Sequence, residues 1–307
     1  MRHLNDTSRR PRVGFTLIEI LVVISIMAIL LALSTAAYQR VRVTQMVRSS
    51  EQTVSKIQMG LDNQVKIISD KVRGEAQSGF TDIPGILAFC GGAGNEDLAA
   101  AVLLHCRLRQ YLPQTAAEIN STLAAPRSTE YGFTLLWNGG ANRVDFPRPA
   151  AFASLTGISD PTPEKVSAAA LYAALTAQAQ GGNNFAADEV LSGAILDISI
   201  NSGNVRVFKD GWGNPIPFVR FYQSTELDTP PYSDSKAWKD PFDPRQKISN
   251  WTNVTNKTTF QNAIGLATWG RNTTVTAFSA GLDKSANSAD DILGYRLRAI
   301  GAKGAKP

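Results

Sequence analysis

No proline interrupts residues 15–83 of this 307-residue chain, and helix formers continue through the run. One long helix is therefore the strongest constraint on the fold. Its first part, Phe15 to Leu33, is apolar on all sides except for Glu19 and two hydroxyl residues. Its second part is one-sided: Val47, Val54, Ile57, Leu61, Val65, Ile68 and Val72 recur at steps of three, four or seven, which makes one apolar face of an amphipathic helix. Gly74 follows Lys71 and Arg73, a C-terminal signal, so the spacing predicts a single helix over 15–74. At about 1.5 Å per residue such a helix is roughly 90 Å long. Gly60 marks a kink or a close contact along it.

Residues 1–14 read as a leader. Arg2, Arg9, Arg10 and Arg12 outweigh Asp6, and basic residues before an apolar run keep that end in the cytoplasm. The apolar run is about as long as a bilayer core requires, and no small-residue cleavage site follows it, which argues against a secretory signal peptide. A plain signal anchor explains the hydropathy. It does not explain Gly14 at the junction, nor Glu19 inside the apolar layer, where an ionised carboxylate costs at least about 2.5 kcal/mol. Glu19 is read in two ways: as a carboxylate that snorkels to the headgroups, or as the partner of an amine in an assembly.

Gly14-Phe-Thr-Leu-Ile-Glu19 and the apolar run behind it resemble the N-terminal signature of type IV pilins and type II secretion pseudopilins. The resemblance implies cleavage by prepilin peptidase between Gly14 and Phe15, N-methylation of Phe15, and an assembly role for Glu19, whose carboxylate would meet the Phe15 amine of a neighbouring subunit. Glu19 would then set axial register.

Composition narrows the function further. The net charge is +5, and removing the leader subtracts four arginines and one aspartate, leaving about +2, so the basic balance is partly a targeting feature. No Lys/Arg stripe with interleaved aromatics marks a nucleic-acid surface. Only His3 and His105 exist, Cys90 and Cys106 form no Cys-x-x-Cys, and neither Gly-x-Ser-x-Gly nor His-Glu-x-x-His occurs, so neither a zinc site nor an enzyme is expected. His105 beside Cys106 is a poor nucleophile pair, since adjacent helix residues face different directions. Outside the cytoplasm the two cysteines could join; a disulfide and two buried thiols both remain open readings.

The rest of the chain is expected to form a head. Residues 75–203 read as a partly helical insertion, with helices over Glu96–Leu112, capped at Asn95, and from Thr162-Pro163-Glu164 to Gln180, ended by 181–184. Residues 204–300 read as an antiparallel β-sheet. Val205–Phe208 and Ile216–Tyr222 are predicted to pair as a hairpin around the turn Asp210–Pro215, 225–262 to form a long loop, and Val275–Phe278 and Leu293–Ile300 to form strands. Residues 301–307 read as a disordered basic tail.

Asp210-Gly-Trp-Gly-Asn-Pro215 resembles a turn of the major pseudopilins of type II secretion, and Ser279-Ala-Gly-Leu-Asp283 with Ala289-Asp-Asp-Ile292 resembles their calcium-binding loop. The residues support a cation independently. Asp283, Asp290 and Asp291 gather three carboxylates within nine residues, with Ser279, Ser285, Asn287 and Ser288 as further oxygen donors, which suits a hard ion. A solvated acidic loop is the plain alternative. The resemblance implies an α+β, type IV pilin-like fold, with the long helix packed on the sheet. It implies an inner-membrane subunit with a cytoplasmic N-terminus and a periplasmic head, polymerised with other pseudopilins by the inner-membrane assembly platform. A subunit of a surface type IV pilus is the alternative. The excess length in 75–203 and 225–262 departs from the compact major subunits and is more usual for minor ones.

Overall fold

The computed structural model describes residues 16–159, 162–176, 191, 193–200, 203–228, 240–265, 272–286, 288 and 290–300. The leader 1–14, Phe15, the segment 181–184, Asn287, Ala289 and the tail 301–307 therefore lie outside the described residues. The chain divides into two units, Met1–Met46 and Val47–Pro307.

Helix α1 runs from Leu17 to Gln77 without a break, through a buried Gly60. In the first unit its large apolar side chains from Leu17 to Leu33 are all exposed, Leu17 at 82% and Leu33 at 63%. In the second unit the predicted face is buried: Val54, Ile57, Leu61, Ile68 and Val72 are inside, with Val47 and Val65 packed at the margin. The helix passes Gly74 and ends three residues later. Phe80 N–H donates to Glu75 O at 2.8 Å and Gly79 N–H to Ala76 O at 3.0 Å, with Gly79 at φ +69°. This is a Schellman ending, which needs a left-handed residue and a hydrophobic one after it; Gly79 and the buried Phe80 supply both. Gly74 precedes no such hydrophobic anchor.

The second unit continues with α2 (Pro84–Phe89), α3 (Glu96–Tyr111), α4 (Ala116–Asn120), the hairpin β1 (Gly132–Trp137) and β2 (Asn142–Pro147), and α5 (Pro163–Thr176). Then come β3 (Ile195–Ile200), β4 (Gly203–Phe208), β5 (Phe218–Gln223), α6 (Val254–Ile264), β6 (Thr273–Ser279), β7 (Ile292–Leu293) and α7 (Gly294–Ile300). The described strands form three small antiparallel sheets, β1-β2, β3-β4 and β5-β6-β7. One hydrophobic cluster joins α1 to α5, β3, β4 and β6. A second joins the end of α1 to α2, α3, the β1-β2 hairpin and α6.

Three expectations are corrected. The predicted hairpin across Asp210–Pro215 does not form: β4 pairs with β3 and β5 with β6. The two arms meet at the Lys209–Pro215 bridge alone among the described residues, where Ile216 N–H donates to Phe208 O at 2.8 Å and Asp210 N–H to Asn214 O at 2.9 Å. Pro215 and Pro217 have no N–H to extend a ladder, so the return arm crosses to another sheet. The second correction is at 293–300, where two strand residues give way to α7. A longer β7 would need Ala277 N–H and Val275 O, and both are taken by the buried Gln58 of α1, at 3.1 and 2.9 Å. The third is the long loop 225–262, which contains the start of α6. Asn253 caps α6 by accepting from Asn256 N–H, and Gly265 closes it at φ +73°.

Candidate functional site

Two places carry the predicted site residues, one in each unit. In the first unit, Thr16 N–H donates to Glu19 Oε2 at 2.8 Å, Thr16 Oγ1 donates to the same oxygen at 2.9 Å, and Glu19 N–H donates to Thr16 Oγ1 at 3.3 Å. This is a capping box: a threonine at the helix N-cap and a glutamate three residues on satisfy each other's open groups. The pattern Thr-x-x-Glu was legible in the sequence, and the sequence reading missed it. Glu19 thus has a local task within its own helix, and its carboxylate is directed at the helix N-terminus, where Phe15 joins. From Leu17 onward the helix is long and apolar enough to cross a membrane.

In the second unit the two C-terminal motifs are sewn together. Asp210, buried, accepts from Trp212 N–H at 2.9 Å and Asn214 N–H at 2.8 Å through one oxygen. Its other oxygen accepts from the buried Ser279 hydroxyl at 2.7 Å. Asn214 Nδ2 in turn donates to Gly281 O at 3.2 Å. A third tie runs to the helix: Gly211 N–H donates to Ser50 Oγ of α1 at 2.8 Å. The turn 210–215 therefore connects α1 to the acidic loop, a function that its composition alone did not reveal.

The three predicted ligands come together. Ser288 Oγ lies 3.3 Å from Asp283 Oδ1, 2.5 Å from Asp290 Oδ1 and 3.3 Å from Asp291 Oδ1. A hydroxyl has one proton, so it donates fully to only one of the three, and the shortest contact is Asp290. That bond, with backbone N–H groups of Leu282 (2.8 Å) and Asp283 (3.4 Å), holds the Asp290 carboxyl below the usual carboxylate range. Gly281, at φ +66°, makes room for it: a Cβ there would stand 2.3 Å from Asp290 Oδ2. The donor set is hard oxygen throughout, as calcium prefers. As they stand, no three acidic, histidine or cysteine side chains among the described residues are grouped to hold an ion. The aspartates fit calcium in chemistry, and Ser288 occupies the point on which they converge.

The remaining candidates are structural. His105 is fully buried, its Nδ1 lies 2.8 Å from Ala101 O, and its ring packs against Phe221, Phe242 and Phe260. Burial pushes its pKa down to about 4. Cys90 and Cys106 are both free, buried thiols, and burial pushes Cys90 up to about 12 and Cys106 up as well. Thiols held protonated in this way are poor nucleophiles. A buried ionic cluster ties elements together: Arg220 meets Glu118 at 2.6 Å and the carbonyls of Leu112 and Ile264 at 2.9 and 3.2 Å, joining β5 to α3, α4 and α6.

Residues 10–35 match the family described as the prokaryotic N-terminal methylation motif. No curated protein and no solved structure matches the chain. The motif is typical of the type IV pilin and pseudopilin class, which is structural and not enzymatic, and it implies processing by prepilin peptidase. The fold agrees with it: a long N-terminal helix packed, in its second part, against small antiparallel sheets with helices between, a pilin-like α+β arrangement.

Proposed function

We propose that this pilin-like protein is a pseudopilin of a type II secretion filament, cleaved between Gly14 and Phe15, methylated at Phe15, and polymerised through its N-terminal helix. The observation that carries the choice of system is the Asp210–Ser279 hydrogen bond. It joins into one unit the two segments that resemble the turn and the calcium loop of secretion pseudopilins. The subunit is anchored in the inner membrane before assembly, with its head in the periplasm. Its partners are prepilin peptidase, other pseudopilin subunits and the inner-membrane assembly platform.

Polymerisation is driven by the apolar side chains from Leu17 to Leu33, which are exposed in the isolated chain and bury against one another in a filament. In that surrounding Glu19 exchanges the Thr16 capping bond for the Phe15 ammonium of a neighbour. Two opposite charges leaving water together offset part of each other's desolvation cost. Asp283, Asp290 and Asp291, with backbone oxygens, would hold calcium. The ion would supply positive charge to three carboxylates that otherwise repel, and fix the loop that the 210–215 turn links to α1.

Glu19→Ala tests the assembly role. The variant should insert and be processed, with methylated phenylalanine as its first residue, yet incorporate poorly into filaments. Incorporation at the wild-type level would end the register argument. Fibres displayed on the cell surface, in place of a periplasmic filament that supports secretion, would assign the chain to a type IV pilus.

A further inference from the structure

The uncharged stretch of α1 ends at a pair of arginines that nothing in the described structure uses. Between Glu19 and Arg40 there is no ionisable side chain except Tyr38, and between Ile20 and Ser50 there is no acid. Arg40 and Arg42 are exposed, and neither guanidinium has a hydrogen-bond or ion-pair partner among the described residues. Tyr38 beside them is 63% exposed.

Depth and direction say what covers them. Arg40 lies twenty-one helical steps beyond Glu19, about 32 Å at 1.5 Å per residue, and a bilayer core is about 30 Å thick. With Glu19 at the cytoplasmic boundary, Tyr38 falls in the opposite interfacial layer, where amphipathic aromatic rings settle. Arg40 and Arg42 then stand at the headgroup phosphates, within reach of their long stems. At about 100° per residue, Arg40 and Arg42 point about 200° apart and so leave the helix on opposite faces. A protein docked on one side would meet one of them. A second copy of this helix lying level with the first would set the same two cations against them, with no acid between Ile20 and Ser50. Lipid surrounds the helix and meets both.

We propose that Arg40 and Arg42 form a binding site for anionic phospholipid headgroups on the periplasmic side, which fixes the depth of the subunit before assembly. The proposal rests on reading the first part of α1 as a membrane span. It adds a step to assembly: a subunit leaving the bilayer must release these lipids.

The test uses the full chain in phosphatidylcholine vesicles that contain spin-labelled phosphatidylglycerol or spin-labelled phosphatidylcholine, and compares it with Arg40→Gln/Arg42→Gln. The leader arginines are unchanged in the variant, so the difference isolates this pair. Wild type should favour the anionic probe, and each arginine removed should lower that preference about fivefold. Salt at 1 M, where the screening length is about 3 Å, should bring wild type towards the variant. An unchanged preference in the variant would overturn the proposal. So would a loss of energy transfer between labelled copies in pure phosphatidylcholine with the lipid preference intact, since the pair would then serve a second protein chain. If the chain fails to float with the vesicles at all, the membrane span is wrong and the proposal goes with it.

Discussion

The two parts of α1 are made of the same material and used in opposite ways. From Leu17 to Leu33 nearly every residue is apolar, and every described large apolar side chain is exposed. From Val47 to Gln77 one stripe of apolar residues recurs at helical spacing, and Val54, Ile57, Leu61, Ile68 and Val72 on it are buried while Met59 off it is exposed. The difference lies in pattern, not in hydrophobicity. A helix that is apolar all round cannot satisfy itself against one small head and needs a medium that covers every face. A helix with one apolar stripe needs one partner surface, and the head supplies it. The part with more apolar surface is therefore the part that contributes nothing to the stability of the isolated chain.

A matched pair of truncations tests this most severely. Ile57 is fully buried and Ile24 is 57% exposed. Ile57→Ala should cost the head about 2–5 kcal/mol, from lost burial and the cavity left behind. Ile24→Ala should leave head stability within about 0.5 kcal/mol of wild type, as surface changes do. Urea unfolding in detergent, followed by tryptophan fluorescence, reads the head alone, because all five tryptophans lie at or beyond Trp137. Equal losses in the two variants would erase the distinction between the two parts.

Acid should distinguish them as well. His105 sits in the second hydrophobic cluster's surroundings, and burial, partly opposed by the charge of Asp243, pushes its pKa from 6.5 down to about 4. The unfolded chain therefore binds a proton in this window that the folded head refuses, so stability rises with pH. The contribution is complete above about pH 6.5 and is lost as pH falls towards 4. The shift of 6.5 to about 4 corresponds to about 3 kcal/mol. The slope between these pH values should flatten in His105→Phe, which keeps a ring among Phe221, Phe242 and Phe260. A slope unchanged by that substitution would assign the acid sensitivity to other groups, of which Glu118 is the first to examine. Burial works against its charge, but Arg220, the Gln114 N–H and Arg109 together outweigh that and hold its pKa low.

What the sequence revealed follows the same division between pattern and partner. The long helix, its buried stripe and the helices beginning at Glu96 and Pro163 were legible because periodicity and helix-start residues are local, although Asn95, expected to cap the helix at Glu96, makes no side-chain capping bond. That Asp283, Asp290 and Asp291 lie close together was legible because they belong to one loop. Two of the misreadings depended on a distant residue. Gln58 lies more than 200 positions from the strand edge that it closes, and that contact turns 294–300 into a helix. The arms of the Asp210–Pro215 turn have hairpin composition, yet each found a better edge elsewhere, on β3 and on β6. The hairpin Gly132–Pro147 went unread in the insertion, although Asn138-Gly139-Gly140 supplies its turn and Phe133 stacks on Phe146 at 4.8 Å. The Thr16–Glu19 box, the Gly79-Phe80 helix ending and the Asn253 cap of α6 are local signals that were simply overlooked.

Two serines give the finest comparison. Ser25 and Ser50 stand on the same helix. Ser25 Oγ donates to Leu21 O at 2.8 Å, an exposed contact inside its own helix. Ser50 is fully buried and is the first buried residue along α1; its Oγ accepts Gly211 N–H from the motif turn at 2.8 Å. Ser50→Ala leaves that N–H without its acceptor, so it should cost about 1–3 kcal/mol, whereas Ser25→Ala should change head stability by no more than a few tenths. The calcium reading makes the pair sharper still. If the 210–215 turn transmits the state of the acidic loop to α1, the stabilisation of the head by added calcium should shrink in Ser50→Ala and stay full in Ser25→Ala. Calcium titrations of Tm in the two variants decide it. Equal calcium stabilisation in both would mean that the turn only braces the loop and passes nothing to the helix.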